Sequence, residues 1–485
     1  MPSRHITVLP TPAAPADAAT TDALLRRLAQ IRTDLKVPQD FSSAALADAQ
    51  AAADSHPSAP ADLTDVAFWT LDPVGSMDLD QAMALERDGD GYRVRYAIAD
   101  VPHFVTPGSA LDTEVRARGL TIYAPDGRVP LHPPVLSEAA ASLLPDQVRP
   151  AYVWDLRLAA DGSVTSAGVA RAMVRSQVRR DYVSVQADVD AGTPDEQVVL
   201  LREIGGKRAA LESARGGASL PMPEQEVHPD GFGGYVIELR PPVPAEDWNA
   251  QISLMTGMAA ADIMVRGGIG ILRTMPDPEP GAVKRFRRQA TALGVPWPQG
   301  QRYGDFLRSL DRHNTRHLAL IHEATSLFRG AGYTPFEGEA PSVRTHAAVA
   351  APYAHVTAPL RRLVDRFGLV VCESLCSGSP VPGWVREALP ALPDLMAQGD
   401  RRASAVERAS TDAVEAAVLA GSVGRDFSGS VVDVTFKGMP VVQLLDPAVV
   451  GLAAGSAKPG TDVTVRVTAV DVEAGSVRME IVGQR

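Results

Sequence analysis

The chain has 485 residues, of which 45% are hydrophobic and 22% charged, with a net charge of −11. These are the proportions of a soluble globular protein of two or three domains. No apolar run approaches the roughly 18 residues that span a bilayer, and the N-terminus MPSRHITVLPTPAAPADAAT lacks the apolar core of a secretory signal, so a cytoplasmic protein without membrane segments is expected.

Residues 10–20 read as a Pro/Ala-rich tail, followed by two helical patterns at Thr21–Leu35 and Ser43–Ala53. Thr21 or Asp22 is the expected cap of the first, and Ser42 or Ser43 of the second. SHPSAPAD then reads as a linker. From Leu63 the pattern changes to strands. Val66–Leu71 is a short apolar run, and Tyr92, Val94, Tyr96 and Ile98 alternate with Arg93 and Arg95. That is the period of a half-buried strand, and ERDGDGY, with two Asp-Gly pairs, is its hairpin turn.

Helical periodicity predicts helices over Asp195–Ala214, Asn249–Val265, Ala282–Leu293, His313–Arg329 and Pro359–Ser377, with a strand near Gly234–Leu239. Cys372 and Cys376, the only cysteines, sit four apart in an apolar helix and read as core thiols. A further helical stretch, AVERASTDAVEAAVLAG, leads into four β-rich runs, GSVVDV, PVVQLL, DVTVRVTAV and SVRMEI. Strands this short and close together imply a small barrel or sandwich. Three regions follow: a helical 1–62, an α+β domain over 63–420 and an all-β barrel over 421–485.

The stretch TLDPVGSMDLDQA puts Asp72, Asp78 and Asp80 directly after a strand. Carboxylates crowded on a loop raise each other's pKa unless a cation intervenes, and Mg2+ or Mn2+ would suit oxygen ligands. A solvated acidic turn explains the spacing equally well. YAHVTAPLRRLVD lies far downstream. There Pro359 fits a first helical turn with Thr357 as cap, which brings Arg361 and Arg362 to a helix N-terminus suited to phosphate. A salt bridge to Asp365 would occupy one arginine only. Together the two stretches suggest phosphodiester hydrolysis, with a cation activating water and arginine offsetting charge on phosphorus.

With the segment YRVRYAIADVPHFVTPGSALDTEVRARGLTIYAPDGRVPLHPPVLSEAAASLLPDQVRP and the downstream HAAVAAPYAHVTAPLRRLVD, these motifs resemble the ribonuclease II / ribonuclease R family, in order over about residues 62–380. The resemblance implies an α+β RNB-like catalytic domain and a C-terminal OB-fold. It implies a monomeric, magnesium-dependent enzyme that processively removes nucleoside 5′-monophosphates from the 3′ end of single-stranded RNA. Carried over, Asp72, Asp78 and Asp80 are metal-site carboxylates, Arg361 contacts the scissile phosphate and Arg362 supports it.

The chain departs from that pattern in four places. Gln81 stands where a fourth acid is usual, as a neutral candidate metal ligand. The two aromatic clamp positions fall near Arg180, with Tyr182 beside it, and Arg215; a guanidinium plane can also stack on a base. Met255, Thr256 and Gly257 occupy the place of a family glutamate. About 60 helical residues stand where two cold-shock OB domains are usual, so some tolerance of duplex RNA is expected. Lys437 and Arg466 are candidate RNA contacts on the barrel, whose aromatics are Phe427 and Phe436. His103, His132, His346 and His355 read as packing or hydrogen-bonding residues. Two alternatives stay open: an inactive RNA-binding relative, and a phosphodiesterase acting on another nucleic acid.

Overall fold

The computed structural model describes residues 6–8, 18–55, 58–218, 220, 224–229, 235–240, 242–311, 314–435, 437–444, 446–447 and 449–484. A short strand β1 (Ile6–Val8) precedes helices α1 (Ala18–Asp34) and α2 (Ser43–Ala53). The Ser42 hydroxyl caps α2, accepting from the Ala45 N–H at 3.2 Å. Helix α1 starts ahead of the expected caps, so Thr21 and Asp22 lie inside it. Phe436 and most of the Pro/Ala-rich tail lie outside the described residues.

Five strands then close a barrel: β2 (Ala61–Asp72), β3 (Gln81–Asp88), β4 (Gly91–Ala99) and, after an excursion, β7 (Val148–Leu158) and β8 (Val164–Asp181). Strand β2 closes it by pairing in parallel with β8. The expected alternation holds on β4: Tyr92, Val94, Tyr96 and Ile98 are buried, while Arg93 pairs with Asp155 and Arg95 with Glu86. The β3–β4 turn is the Asp-Gly hairpin, with Gly89 at φ +64°. The excursion holds α3 (Val101–Phe104), α4 (Ala110–Arg118) and a hairpin of β5 (Ile122–Ala124) and β6 (Gly127–Val129).

After the barrel come α5 (Tyr182–Asp190), α6 (Glu196–Arg215), the strands β9 (Glu224–Pro229) and β10 (Tyr235–Arg240), and α7 (Pro244–Gly267). Further on, β11 (Ile269–Thr274) pairs with β12 (Gly332–Glu337). Between them run α8 (Pro280–Ala292), α9 (Tyr303–Arg308) and α10 (Thr315–Ala324). The short strands β13 (Thr345–His346) and β14 (Ala351–Pro352) lead to α11 (Leu363–Ser377), α12 (Gly383–Ala388) and the 28-residue α13 (Leu392–Leu419). Helix α11 starts four residues later than Pro359, a difference that decides the roles of two arginines below. Both cysteines on α11 are free thiols, Cys372 buried and Cys376 exposed.

The last strands, β15 (Asp426–Val434), β16 (Pro440–Leu444), β17 (Val450–Ala454), β18 (Asp462–Asp471) and β19 (Ser476–Gln484), form a second closed barrel. Strand β17, VGLAA, is the one the sequence reading treats as loop: its small residues carry no strand periodicity. It is held by its partners, antiparallel to β16 and parallel to β19.

The central core joins the first barrel, α7 and α11, with Phe68, Tyr96, Trp154 and Phe367 fully buried. Burial of each such side chain stabilises the fold by roughly 1.5–3 kcal/mol. Helix α2 joins this core through Ala45 and Ala49, one turn apart. Leu24, Leu28 and Ile31 of α1 instead pack with α13 and the second barrel. Among the described residues no helix is long and apolar enough to cross a membrane.

Of Met255, Thr256 and Gly257 on α7, the glycine sits where no side chain fits. A Cβ there would lie 2.2 Å from the Tyr353 ring and 2.6 Å from the Ala354 carbonyl oxygen, whose residue donates its N–H to the Gly257 carbonyl at 3.0 Å. Gly257→Ala is therefore expected to destabilise the fold by about 1–3 kcal/mol, read as a lower midpoint in urea. An unchanged midpoint would show that this contact relaxes freely.

Candidate active site

Asp72 ends β2, in register with Asp181 of β8. The chain turns through Gly75, at φ +82°, and is pinned on its return by Leu79. Leu79 donates its N–H to the Ser142 hydroxyl at 2.9 Å and accepts the Leu143 N–H at 3.0 Å. This places Asp78 and Asp80 beside Asp72, near enough that Asp78 raises the pKa of both neighbours.

The three carboxylates have different surroundings. Asp80 is 3% exposed, and burial pushes its pKa up to about 8 despite Arg361 and the Leu360 N–H. Asp72 is pushed up to about 6, again by burial first, with Arg361 and Arg179 opposing. Its Oδ2 is buried with no hydrogen-bond partner among the described residues. Asp78 forms a salt bridge with Arg128 of β6, whose other Nη binds Glu138 at 2.9 Å.

Facing them is the segment 357–362. The Leu360 N–H donates to Asp80 Oδ1 at 2.7 Å, and Arg361 Nε lies 3.4 Å from Asp80 Oδ2. The rest of the turn is held by bonds from all sides. Ala358 donates its N–H to Asp365 Oδ1 at 2.7 Å, Thr121 donates to the Arg361 carbonyl at 3.0 Å, and Leu363 donates to the Gly119 carbonyl at 2.9 Å. His132 Nδ1 lies 3.0 Å from the Leu360 carbonyl, and since a carbonyl only accepts, Nδ1 carries the proton.

The two arginines separate here. Arg362, not Thr357, is the N-cap residue of α11, in extended conformation. Its guanidinium forks onto Asp365 at 3.0 and 2.7 Å. Arg362 therefore fixes the turn rather than meeting a phosphate. Arg361 lies ahead of the helix with its side chain 47% exposed, reaching towards Asp80. Of the two arginines it is the one left half-exposed beside the aspartates.

The other expected residues scatter. Tyr182 opens α5 and accepts a hydrogen bond from Asn249 Nδ2 at 2.9 Å. Burial and the Asp72 carboxylate raise its phenol pKa, so it lines the site. Arg180 does not: it is paired with Asp195 and stacked over Trp69, 5.0 Å from the ring centroid. Neighbours on a strand point to opposite faces, and the residue on the site side is Arg179, bonded to the Ser76 carbonyl at 3.1 Å. Arg215 ends α6 with its Nε buried and its guanidinium pKa lowered by burial, and among the described residues no contact ties it to the aspartates. Lys437 lies in the β15–β16 turn of the second barrel. Arg466 is paired with Asp426. Arg128 and Arg179 meet the aspartates only through the fold, and Asn249 reaches Tyr182 and the Leu71 carbonyl in the same way, so no local sequence signal marks any of the three.

Hard carboxylate oxygens and the orphaned Oδ2 of Asp72 suit a divalent cation in kind. Asp78 and Asp80, however, are compensated by Arg128 and Arg361, and among the described residues no three His, Cys, Asp or Glu side chains are gathered as a metal-holding group. Gln81 does not match the expected ligand role: its side-chain amide donates to the buried Thr357 carbonyl. The amide is what such a carbonyl requires, because it supplies a donor that a carboxylate lacks.

His132 gives a pH test of the support behind the turn. Burial lowers its pKa from 6.5 to about 4, so the folded state keeps it neutral while the unfolded chain takes up a proton. Its contribution to stability is full above about pH 6.5 and is lost as pH falls towards 4, by at most about 3 kcal/mol. His132→Gln, which keeps a donor for Leu360, is expected to flatten the fall in stability between pH 7 and 4.5. Parallel wild-type and variant curves would sink this assignment.

Comparison with known proteins follows the same outline. The RNB domain model matches residues 61–370, and the RNase II-type exonuclease C-terminal S1 domain model matches residues 425–482. Ribonuclease R of Escherichia coli strain K12 is 29% identical over 322 residues, covering 63% of this chain and 39% of that protein. The probable exosome complex exonuclease RRP44 of Caenorhabditis elegans is 28% identical over 328 residues, 63% of this chain and 33% of that protein. The chain thus matches well under half the length of these relatives. Among solved structures, Mycoplasma genitalium RNase R in complex with ribose-methylated single-stranded RNA is similar at a TM-score of 0.83 and 19% identity, covering 95% of this chain and 78% of that one. Yeast Ssd1, described as a pseudonuclease, is similar at a TM-score of 0.64 and 14% identity, covering 84% of this chain and 53% of that one. With the RNB model spanning well over half of the sequence, this chain belongs to the RNB-domain family, and its last barrel matches that family's RNase II-type C-terminal S1 domain.

Proposed function

We propose that the chain is a metal-dependent 3′→5′ exoribonuclease that degrades single-stranded RNA processively to nucleoside 5′-monophosphates. The observation that carries this reading is Arg361, held half-exposed by a fully bonded turn beside the buried Asp80 and Asp72. A guanidinium so fixed can bind a phosphate and offset the charge that develops on it. Asp72 and Asp80, with Asp78 beside them, would hold a divalent ion, magnesium or manganese, which supplies Lewis acidity and activates water. Arg362 and Asp365 keep the turn in place, Arg128 keeps Asp78 in place, and Tyr182 borders the substrate beside Asp72. The protein acts as a cytoplasmic monomer.

The test is a time course with 5′-labelled poly(A), magnesium and pure protein. A descending ladder, or a short limit product with nucleoside 5′-monophosphate release, is expected. Ssd1 supports a second reading, a non-catalytic RNA binder, because that similar fold is described as a pseudonuclease. RNA retained but uncut, in magnesium and in manganese alike, would favour it. Equal cleavage of DNA would instead point to a less selective phosphodiesterase.

A further inference from the structure

We infer that Gln81 is a positioning residue for Arg361 and that position 81 of this chain is not a cation ligand. Residues 80 and 81 grip two points of one turn. Gln81 donates its side-chain amide to the Thr357 carbonyl, and Asp80 Oδ1 accepts the Leu360 N–H at 2.7 Å. Between these two points lie Ala358 and Pro359, and Arg361 follows directly. Thr357 is 4% exposed and Gln81 9%, so water is poorly placed to replace the bond. A buried carbonyl left unmatched carries a desolvation penalty.

The bond selects an amide. A carboxylate at position 81 offers only acceptors when ionised, and its oxygen would face the Thr357 carbonyl oxygen. It must then turn away or bind a proton, and either change frees the turn at its N-terminal end. Aspartate is also one carbon too short to reach as glutamine does. With its nitrogen committed, Gln81 retains one neutral oxygen, a weak ligand for a hard cation that already has carboxylates beside it.

Three variants separate the roles: Gln81→Met, which keeps length but loses the donor, Gln81→Glu, and Gln81→Asp, which restores an acid. Amide exchange of a peptide covering 355–363 is expected to quicken about tenfold in all three. The kinetic arm rests on the exoribonuclease reading, but the exchange arm does not. In it, turnover falls by about 10- to 100-fold through misplacement of Arg361, while RNA affinity in EDTA stays within about twofold. The magnesium concentration for half-activity does not fall in Gln81→Asp. Unchanged exchange in Gln81→Met would overturn the inference. So would a Gln81→Asp protein that is activated at about tenfold lower magnesium. Should Gln81→Asp fail to fold, exchange in the Met and Glu variants decides alone. Should wild type cut no RNA, exchange still tests the Gln81–Thr357 bond.

Discussion

Asp80→Asn is expected to lower RNA hydrolysis by about a thousandfold or more, while the protein becomes no less stable. Asparagine keeps the shape and can still accept the Leu360 N–H, so the turn carrying Arg361 stays in place. What it removes is a titratable carboxyl, 3% exposed beside Arg361 and Asp78, whose ionised form burial disfavours. The sign of the stability effect follows from the raised pKa. The folded state prefers the neutral carboxyl, so stability is greatest below the unfolded value near 3.8 and is lost as pH rises through about 8. Asparagine has no such loss. In the absence of divalent ions, its thermal midpoint should therefore match wild type near pH 4 and exceed it increasingly towards pH 8.5. Initial rates on labelled RNA and melting curves at these pH values test both halves. Retention of more than about a tenth of the activity would remove Asp80 from the catalytic set.

Arg361→Ala is expected to cost about 100- to 1000-fold in rate, with only a small change in stability. Its side chain is 47% exposed and makes one longer ionic contact, to Asp80 at 3.4 Å. Arg361→Lys should recover little, since a single ammonium cannot reproduce the fork. Arg362→Ala should behave in the opposite way. It abandons Asp365, whose side chain is fully buried and also holds the Ala358 N–H. Breaking a buried pair from one side typically costs about 3–5 kcal/mol. Melting and single-turnover rates on the two alanine variants discriminate directly. A large stability loss in Arg361→Ala, or none in Arg362→Ala, would mean that the roles are reversed.

The elements legible in the sequence are those whose signal is local. Alternation from Tyr92 to Ile98, the Asp-Gly hairpin and the Ser42 cap each need only a few neighbouring residues, and each stands in the structure. So does the clustering of Asp72, Asp78 and Asp80, because one pinned loop carries all three. Less was visible where partners are distant. Arg128 meets Asp78 across 50 positions, and Gln81 meets Thr357 across 276. Strand β17 needed its neighbours to be a strand at all.

Sequence by itself determined the family, and it marked three clustered aspartates and an adjacent arginine pair as candidates. These depend on motif and short-range period, which a linear chain records. Tertiary structure decided which arginine is tied to Asp365, which one stays half-exposed beside Asp80, and which aspartate is buried. Arg361 and Arg362 are chemically identical and adjacent; the start of α11 at Leu363 gives one to Asp365 and leaves the other beside Asp80. Asp72, Asp78 and Asp80 likewise look alike until burial and Arg128 set them apart. Desolvation and ion pairing are properties of the assembled surroundings, and no spacing along the chain encodes them.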